Sequence, residues 1–189
     1  MNNVQVLIRR AGKAVAAVFA GFGGFVLNVQ PPEGIVKGFT IGFASTLSAL
    51  LFLVISIFSQ RYAWNQYRRI FTTLSLLFTL IVVLVGFLYQ STYSALTLDL
   101  PSANGTEKII IGTELTHIAR EALAKTNEPL PQLLLDFGGK GARERVWTRE
   151  SIRAATLMLN DRFIALAVSI AAAIFCVAEV LFPAMPSAQ

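Results

Sequence analysis

Residues 70–89 read IFTTLSLLFTLIVVLVGFLY, and residues 163–182 read FIALAVSIAAAIFCVAEVLF. A third apolar run, residues 38–58, reads GFTIGFASTLSALLFLVISIF. Each run has about 20 residues, which at roughly 1.5 Å rise per residue matches a hydrocarbon core of about 30 Å. None of the three has a charged side chain in its central part. The pattern therefore predicts an integral membrane protein that is mainly helical.

A shorter apolar segment, residues 4–29, leaves the number of transmembrane helices at three or four. Its apolar part is marginal in length for spanning, so the segment is either a short tilted span or an amphipathic helix lying in the membrane interface. The basic start and apolar stretch also fit a signal peptide, but we expect the segment to be retained.

Small residues recur every four positions in the first two segments, a spacing that lets helix backbones approach closely. We expect these residues to form the faces through which the chain self-associates: Gly12, Ala16, Ala20, Gly24, Gly38 and Gly42.

A polar hinge over residues 59–69 mixes aromatic and basic side chains at the end of a span, which is typical of an anchor at the membrane interface. The predicted anchors are Arg61, Tyr62, Trp64, Tyr67, Arg68 and Arg69.

Residues 91–148 are predicted to form a small extramembrane α+β module. Leu96, Leu98 and Leu100 alternate with other residues as in a half-buried strand, and residues 107–112 predict a second strand. A turn over residues 101–105 would join the two strands as a hairpin.

Helices are predicted to follow the hairpin. Thr113 is a candidate N-cap for a helix over residues 114–125, and residues 132–137 form a short helix that Gly138 and Gly139 can end. Residues 140–145 are expected to be a charged, mobile loop.

The last helix is expected to run through residues 149–182, because no glycine or proline interrupts them and Thr148 can cap their start. Such a helix would be about 50 Å long and would carry motion of the module into the bilayer. The chain thus divides into an N-terminal segment (1–34), a transmembrane hairpin (35–90), the module (91–148) and the long final helix (149–189).

The net charge of +5 is best explained by basic residues that flank the apolar runs, so we expect no nucleic-acid partner. The 59–69 loop has three arginines and no acid, whereas residues 90–161 carry eight basic and nine acidic side chains. With four spans, the basic regions are cytoplasmic and the module lies on the opposite side of the membrane. With three spans, the module is cytoplasmic. We favour four spans.

No constellation of reactive side chains is present, so we predict no enzyme activity, no metal and no cofactor. His117 is the only histidine, Cys176 is the only cysteine, and the glycine-rich residues 138–141 lack the spacing of a phosphate-binding loop. Glu179 is the one acid within an apolar run and is a candidate intramembrane functional residue.

Three stretches carry a family resemblance: GTELT at residues 112–116, LDFGG at 135–139 and RVWTRESI at 145–152. With the preceding apolar hairpin, residues 38–182 resemble small multi-span membrane effectors encoded in bacterial anti-phage defence operons. The resemblance implies that a protein partner senses infection and that the membrane protein then oligomerises or opens and permeabilises the inner membrane. These motifs are not catalytic, and no functional residue is carried over from the family.

Two other functions remain open. The small-residue faces can equally bind the other subunits of a larger membrane complex, in which the chain would be a non-catalytic accessory subunit. A small transporter that uses Glu179 is the third interpretation.

Overall fold

The computed structural model describes residues 42–51, 54, 64–102 and 105–181. This part of the chain is mainly helical and contains one two-stranded sheet, which confirms that part of the predicted fold class. The longer elements, in chain order, are α1 (Gly42–Leu51), α2 (Trp64–Leu96), β1 (Thr97–Ser102), β2 (Gly105–Ile110), α3 (His117–Thr126), α4 (Leu130–Asp136), α5 (Arg143–Val146) and α6 (Arg149–Leu181).

Two helices are long and apolar enough to cross a membrane, over Arg68–Leu96 in α2 and Arg149–Val180 in α6. The predicted segment at residues 4–29 lies outside the described residues. Only residues 42–51 and 54 of the 38–58 run are described. A third and a fourth span therefore stay predictions.

Several threonines of helix α2 form hydrogen bonds within the helix. The hydroxyl groups of Thr72, Thr73 and Thr79 each donate to the carbonyl oxygen four residues earlier, at distances of 2.8, 3.0 and 2.8 Å. Such bonds let an apolar helix carry threonine without an unpaired polar group, which matters most in lipid. The helix begins at Trp64, so the predicted hinge over residues 59–69 is wrong for its second half, because residues 64–69 continue the helical ladder.

Helix α6 is uninterrupted from Arg149 to Leu181, and the prediction of one long final helix is confirmed over that range. Its start is capped as predicted, since the Thr148 hydroxyl oxygen accepts from the backbone N–H of Ser151 at 3.3 Å.

The chain divides into two compact units. The described part of the first unit comprises residues 42–51, 54, 64–87 and 164–181. In it, Phe71 of α2 and Cys176 of α6 are buried together, with Phe78 packed against them. Helix α1 buries Ala44 and Ser48, which share one helix face.

The described part of the second unit comprises residues 88–102 and 105–163, and it contains the hairpin. Strands β1 and β2 are antiparallel, and Asp99 lies opposite Lys108 with their charged atoms 3.8 Å apart. The predicted turn over residues 101–105 is too long, because β1 continues to Ser102, which pairs with Gly105. Residue 104 lies outside the described residues.

Neighbouring residues of the hairpin belong to two different hydrophobic clusters, because successive side chains of a strand lie on opposite faces. Ile109 belongs to a cluster with the small helices, and Ile110 belongs to a cluster with the helix ends. The first cluster contains Leu100, Ile109, Ala119, Leu133, Leu134, Val146, Trp147 and Ile152. The second contains Leu96, Ile110, Ala155 and Leu159, with Tyr93 packed against it.

Two local predictions in the module are wrong. The N-cap of α3 is Thr116 rather than Thr113, and its hydroxyl oxygen accepts from the Ala119 N–H at 3.2 Å. Residues 140–145 are not a loop, because a 3-10 turn (Gly139–Ala142) leads into α5. These turns form because Ala142 and Val146 are buried, at a spacing that places both on one helix face.

Candidate functional site

The segment after the hairpin is joined to the chain just before α6 by backbone hydrogen bonds. Leu115 and Trp147 form an antiparallel bridge. Next to it, the Thr116 N–H donates to the Val146 carbonyl at 2.9 Å, and the Thr148 N–H donates to the Glu114 carbonyl at 3.0 Å. The N-cap of α6 is therefore held by the same backbone segment that leads into α3.

Gly112 and Ser151 make this junction tight. A β-carbon at position 112 would lie 2.1 Å from the Ser151 hydroxyl oxygen and 2.9 Å from the β-carbon of Trp147. The Ser151 hydroxyl donates to the carbonyl oxygens of Glu114 and Thr148, at 3.3 and 3.0 Å. Trp147 is 2% exposed, so the junction is a packed part of the module core.

A second polar contact lies where the two apolar runs end. The Arg162 Nη1 group donates to the carbonyl oxygen of Leu88 at 2.9 Å and also donates to the Thr92 hydroxyl oxygen. The Thr92 hydroxyl in turn donates to the same Leu88 carbonyl at 2.8 Å. Arg162 precedes the apolar run that starts at residue 163, and Thr92 follows the run that ends at residue 89. The contact therefore marks the boundary of both apolar segments.

Tyr89 lies one helical turn from this contact. Its ring centroid is 6.1 Å from that of Phe163 and 5.8 Å from that of Tyr93. The side chain is buried, and its hydroxyl has no hydrogen-bond partner within the described residues. A buried phenol of this kind costs stability, because the group leaves water without gaining a hydrogen bond.

Ion pairs lie on the surface of the module. Arg149 Nε lies 2.7 Å from Glu144 Oε2, and Lys140 pairs with Glu107. Lys108, beyond its pair with Asp99, also lies 5.4 Å from the centroid of the Tyr93 ring. Pairs in water contribute little to stability, so we treat them as surface features rather than as a reactive site.

The structure describes only part of the predicted self-association faces. Gly12, Ala16, Ala20, Gly24 and Gly38 lie outside the described residues. Gly42 lies at an exposed position of α1, and an added β-carbon would meet no atom of the described residues within 4 Å. Packing within the protomer instead uses Ala44 and Ser48, on the other side of the helix. The role of Gly42 in self-association stays a prediction.

Of the predicted interface anchors, Arg61 and Tyr62 lie outside the described residues. Trp64 and Tyr67 lie in the first turns of α2, and Arg68 and Arg69 follow them at exposed positions.

The ionisable candidates are far apart along the chain. His117 is exposed at the start of α3, where Nδ1 lies 3.5 Å from Glu121, and Glu179 is half-buried in α6. In the described ranges, no three His, Cys, Asp or Glu side chains are grouped so that they can hold a metal ion. The predictions that the chain binds no cofactor and is not an enzyme stay predictions.

Sequence reasoning missed the residues that make the two contacts. Gly112 ends the predicted strand over residues 107–112 and has no turn signal beside it, and Arg162 lies within the predicted last helix. A partial signal did exist for Arg162, because it is the last basic residue before an apolar run, where arginine side chains commonly meet the headgroup region.

No protein-family model matches the chain. Neither the comparison with curated proteins nor that with solved structures gave a match.

Proposed function

We propose that the chain is a multi-pass protein of a bacterial inner membrane that self-associates and perturbs or permeabilises the bilayer when a protein partner triggers it. In this proposal three or four helices span the membrane, and the module is periplasmic if residues 4–29 span and cytoplasmic otherwise. The resemblance to effectors of anti-phage defence operons motivates the choice of trigger.

The observation that carries the proposal is the exposed apolar surface of α2. Its most exposed large side chains are Leu76, Leu80, Val83, Leu84 and Phe87, with exposed fractions between 56% and 73%. A contiguous apolar surface of this kind is unstable in water and marks contact with lipid or with another protein. Within α2, the hydroxyl groups of Thr72, Thr73 and Thr79 are bonded to backbone carbonyl oxygens, which lowers the cost of placing them in lipid.

The way the module joins the long helices supports the proposal that the module controls the activity of the helices in the membrane. Strand β1 starts at Thr97, immediately after α2 ends at Leu96, and only Thr148 separates the bridged Trp147 from the start of α6 at Arg149. No flexible linker therefore separates the module from either helix. A partner that binds the module would act on helix backbone directly.

The deciding experiment is to induce the full chain in bacteria and record membrane potential and dye entry, alone and together with the genes that neighbour it. Depolarisation that requires the protein supports the proposal. The accessory-subunit alternative predicts no depolarisation under any condition, together with stable co-purification in a larger complex.

One substitution distinguishes the transporter alternative from the proposed effector. Glu179→Gln removes the only acid of the apolar run and keeps its size. An effector that acts by self-association keeps its depolarising activity in this variant, whereas a transporter that uses the carboxylate loses its activity.

A further inference from the structure

We propose that Arg162 and Thr92 form a binding site for the phosphate group of an anionic lipid, at the surface where the two apolar runs end. This inference rests on the membrane placement in the proposed function. It adds a ligand class and named residues to a region to which sequence patterns gave no role.

The first argument is the direction in which the guanidinium is held. The Nη1 group of Arg162 donates to both the Leu88 carbonyl oxygen and the Thr92 hydroxyl oxygen. The Nε and Nη2 groups, with three N–H donors, make no bond to any described residue. A planar guanidinium with these donors available matches the paired oxygens of a phosphate group.

The second argument is charge. No described carboxylate lies within 4.0 Å of the Arg162 guanidinium. The same holds for exposed basic side chains such as Arg153, but Arg162 is half-buried, where water and salt screen its charge less. The adjacent Asp161 is exposed and lies about 100° around the helix from Arg162. The half-buried positive charge of Arg162 is thus without a counter-charge among the described residues.

The third argument is depth. Arg162 directly precedes the apolar run at residues 163–182, and Thr92 lies three residues past the apolar run at residues 70–89. The two runs thus end at one contact, which places the guanidinium at the level of lipid headgroups in a membrane-spanning protein. Tyr93, whose ring lies near the Lys108 ammonium, adds the aromatic and basic character of an interface.

Native mass spectrometry of the purified full chain in detergent tests the site, with phosphatidylglycerol titrated against phosphatidylcholine. We expect the wild type to retain phosphatidylglycerol preferentially, and Arg162→Gln to lose roughly fivefold of that preference, the effect of one basic residue near a membrane surface. Arg153→Gln is the matched control, because it removes the same charge from an exposed position of the same helix.

Thr92→Val distinguishes a site with positioned hydrogen-bond donors from non-specific attraction between anionic lipid and positive charge. It leaves the net charge unchanged but removes the hydroxyl that aims the guanidinium, so the preference should fall below that of the wild type. An equal loss in Arg162→Gln and Arg153→Gln, or no preference in the wild type, would overturn the site. Because the readout compares two lipids on each variant, loss of a mere contact between helices would not mimic the result.

Two further experiments are needed. The first distinguishes a lipid phosphate from a free phosphate ion, and the second distinguishes failure of this inference from failure of the proposed function. If inorganic phosphate displaces phosphatidylglycerol at equal concentration, the ligand is a soluble phosphate and the lipid assignment is overturned. Alkaline washing of membranes from expressing cells tests the membrane placement itself. A chain that stays in the washed membranes but shows no lipid preference refutes this inference alone, whereas a chain released by the wash refutes the proposed function.

Discussion

Gly112 lies against Ser151 so closely that the smallest possible side chain at position 112 would overlap the serine hydroxyl oxygen, at 2.1 Å. The two residues are distant in sequence, yet they bring the end of the hairpin onto the first turn of α6. Around them, the Glu114 carbonyl accepts both the Thr148 N–H and the Ser151 hydroxyl. This contact fixes how the module is attached to the last helix.

Gly112→Ala is therefore expected to destabilise the module by about 2 kcal/mol, as overpacking of a filled core does. Protease resistance and thermal unfolding of the purified chain measure the effect. Gly141→Ala is the control and should be nearly neutral, because nothing lies within 4 Å of a β-carbon at position 141. Adding Ser151→Ala to Gly112→Ala should recover only part of the loss, since the Trp147 β-carbon still lies 2.9 Å away. Equal stability of the two glycine variants would contradict this packing.

Tyr89→Phe is expected to leave stability unchanged or to raise the free energy of unfolding by about 1 kcal/mol. The substitution removes a buried hydroxyl that has no partner within the described residues and keeps the ring against Phe163. Thermal unfolding in detergent is the measurement. Tyr93→Phe is the comparison, because it makes the same change in a neighbouring, partly exposed ring. A drop of more than 1 kcal/mol for Tyr89→Phe would show that the hydroxyl has a stabilising partner.

Glu128 gives the module a weak dependence on pH. A side-chain hydrogen bond with Asp136, together with desolvation and the nearby negative charge of Asp136, raises the pKa of the Glu128 carboxyl above its usual 4.5. The folded chain therefore holds this proton to higher pH than the unfolded chain does. Protonated Glu128 therefore contributes to the free energy of unfolding at pH values below its pKa in the unfolded chain. This contribution is lost as the pH rises through the pKa of Glu128 in the folded chain.

Glu128→Gln should remove the loss of stability that ionisation of Glu128 causes as the pH rises. We expect the melting temperature of the variant, relative to the wild type, to increase as the pH is raised from below 4.5 to neutrality. Glu114→Gln serves as the control for removal of one exposed carboxylate. If the difference between Glu128→Gln and the wild type is the same at every pH, the hydrogen bond with Asp136 does not shift the titration.

Hydrophobic length and local capping were sufficient to predict the helices that can span the bilayer. About 20 apolar residues admit few structures other than a membrane helix, and a threonine followed by residues without glycine or proline indicates a helix start. Residues 70–89 and Thr148 follow these rules. The rules are local, because they depend only on neighbours along the chain.

The junction could not be predicted in this way. The strand-like bridge of Leu115 with Trp147 keeps residues just before Thr116 out of the helix, so the cap moves from Thr113 to Thr116. Similarly, burial of Val146 turns a charged stretch into a helical one. In both cases a contact with a residue distant in sequence overrides a local preference. The Arg162–Thr92 contact has the same origin, since its partners lie on different helices.

The exposed face of α1 gives the sharpest test of self-association. Gly42, Thr46 and Ala49 share that face, all three are exposed, and the opposite face is the buried one. Gly42→Leu places a large side chain where a β-carbon meets no described atom within 4 Å, so we expect it to leave the fold of one chain intact. If copies pack through this face, the variant should weaken assembly and reduce depolarisation, because small residues are what allow close approach of two helices.

Cross-linking in membranes and blue native electrophoresis measure assembly, and membrane potential measures activity. Val54→Leu is the control, since Val54 is 52% exposed and already bulky, so its enlargement should leave both readouts unchanged. Thr46→Leu, on the same face as Gly42, should reproduce the effect of Gly42→Leu. If both substitutions on this face leave assembly and depolarisation intact, self-association does not use α1. If assembly falls while depolarisation persists, assembly is separate from the activity.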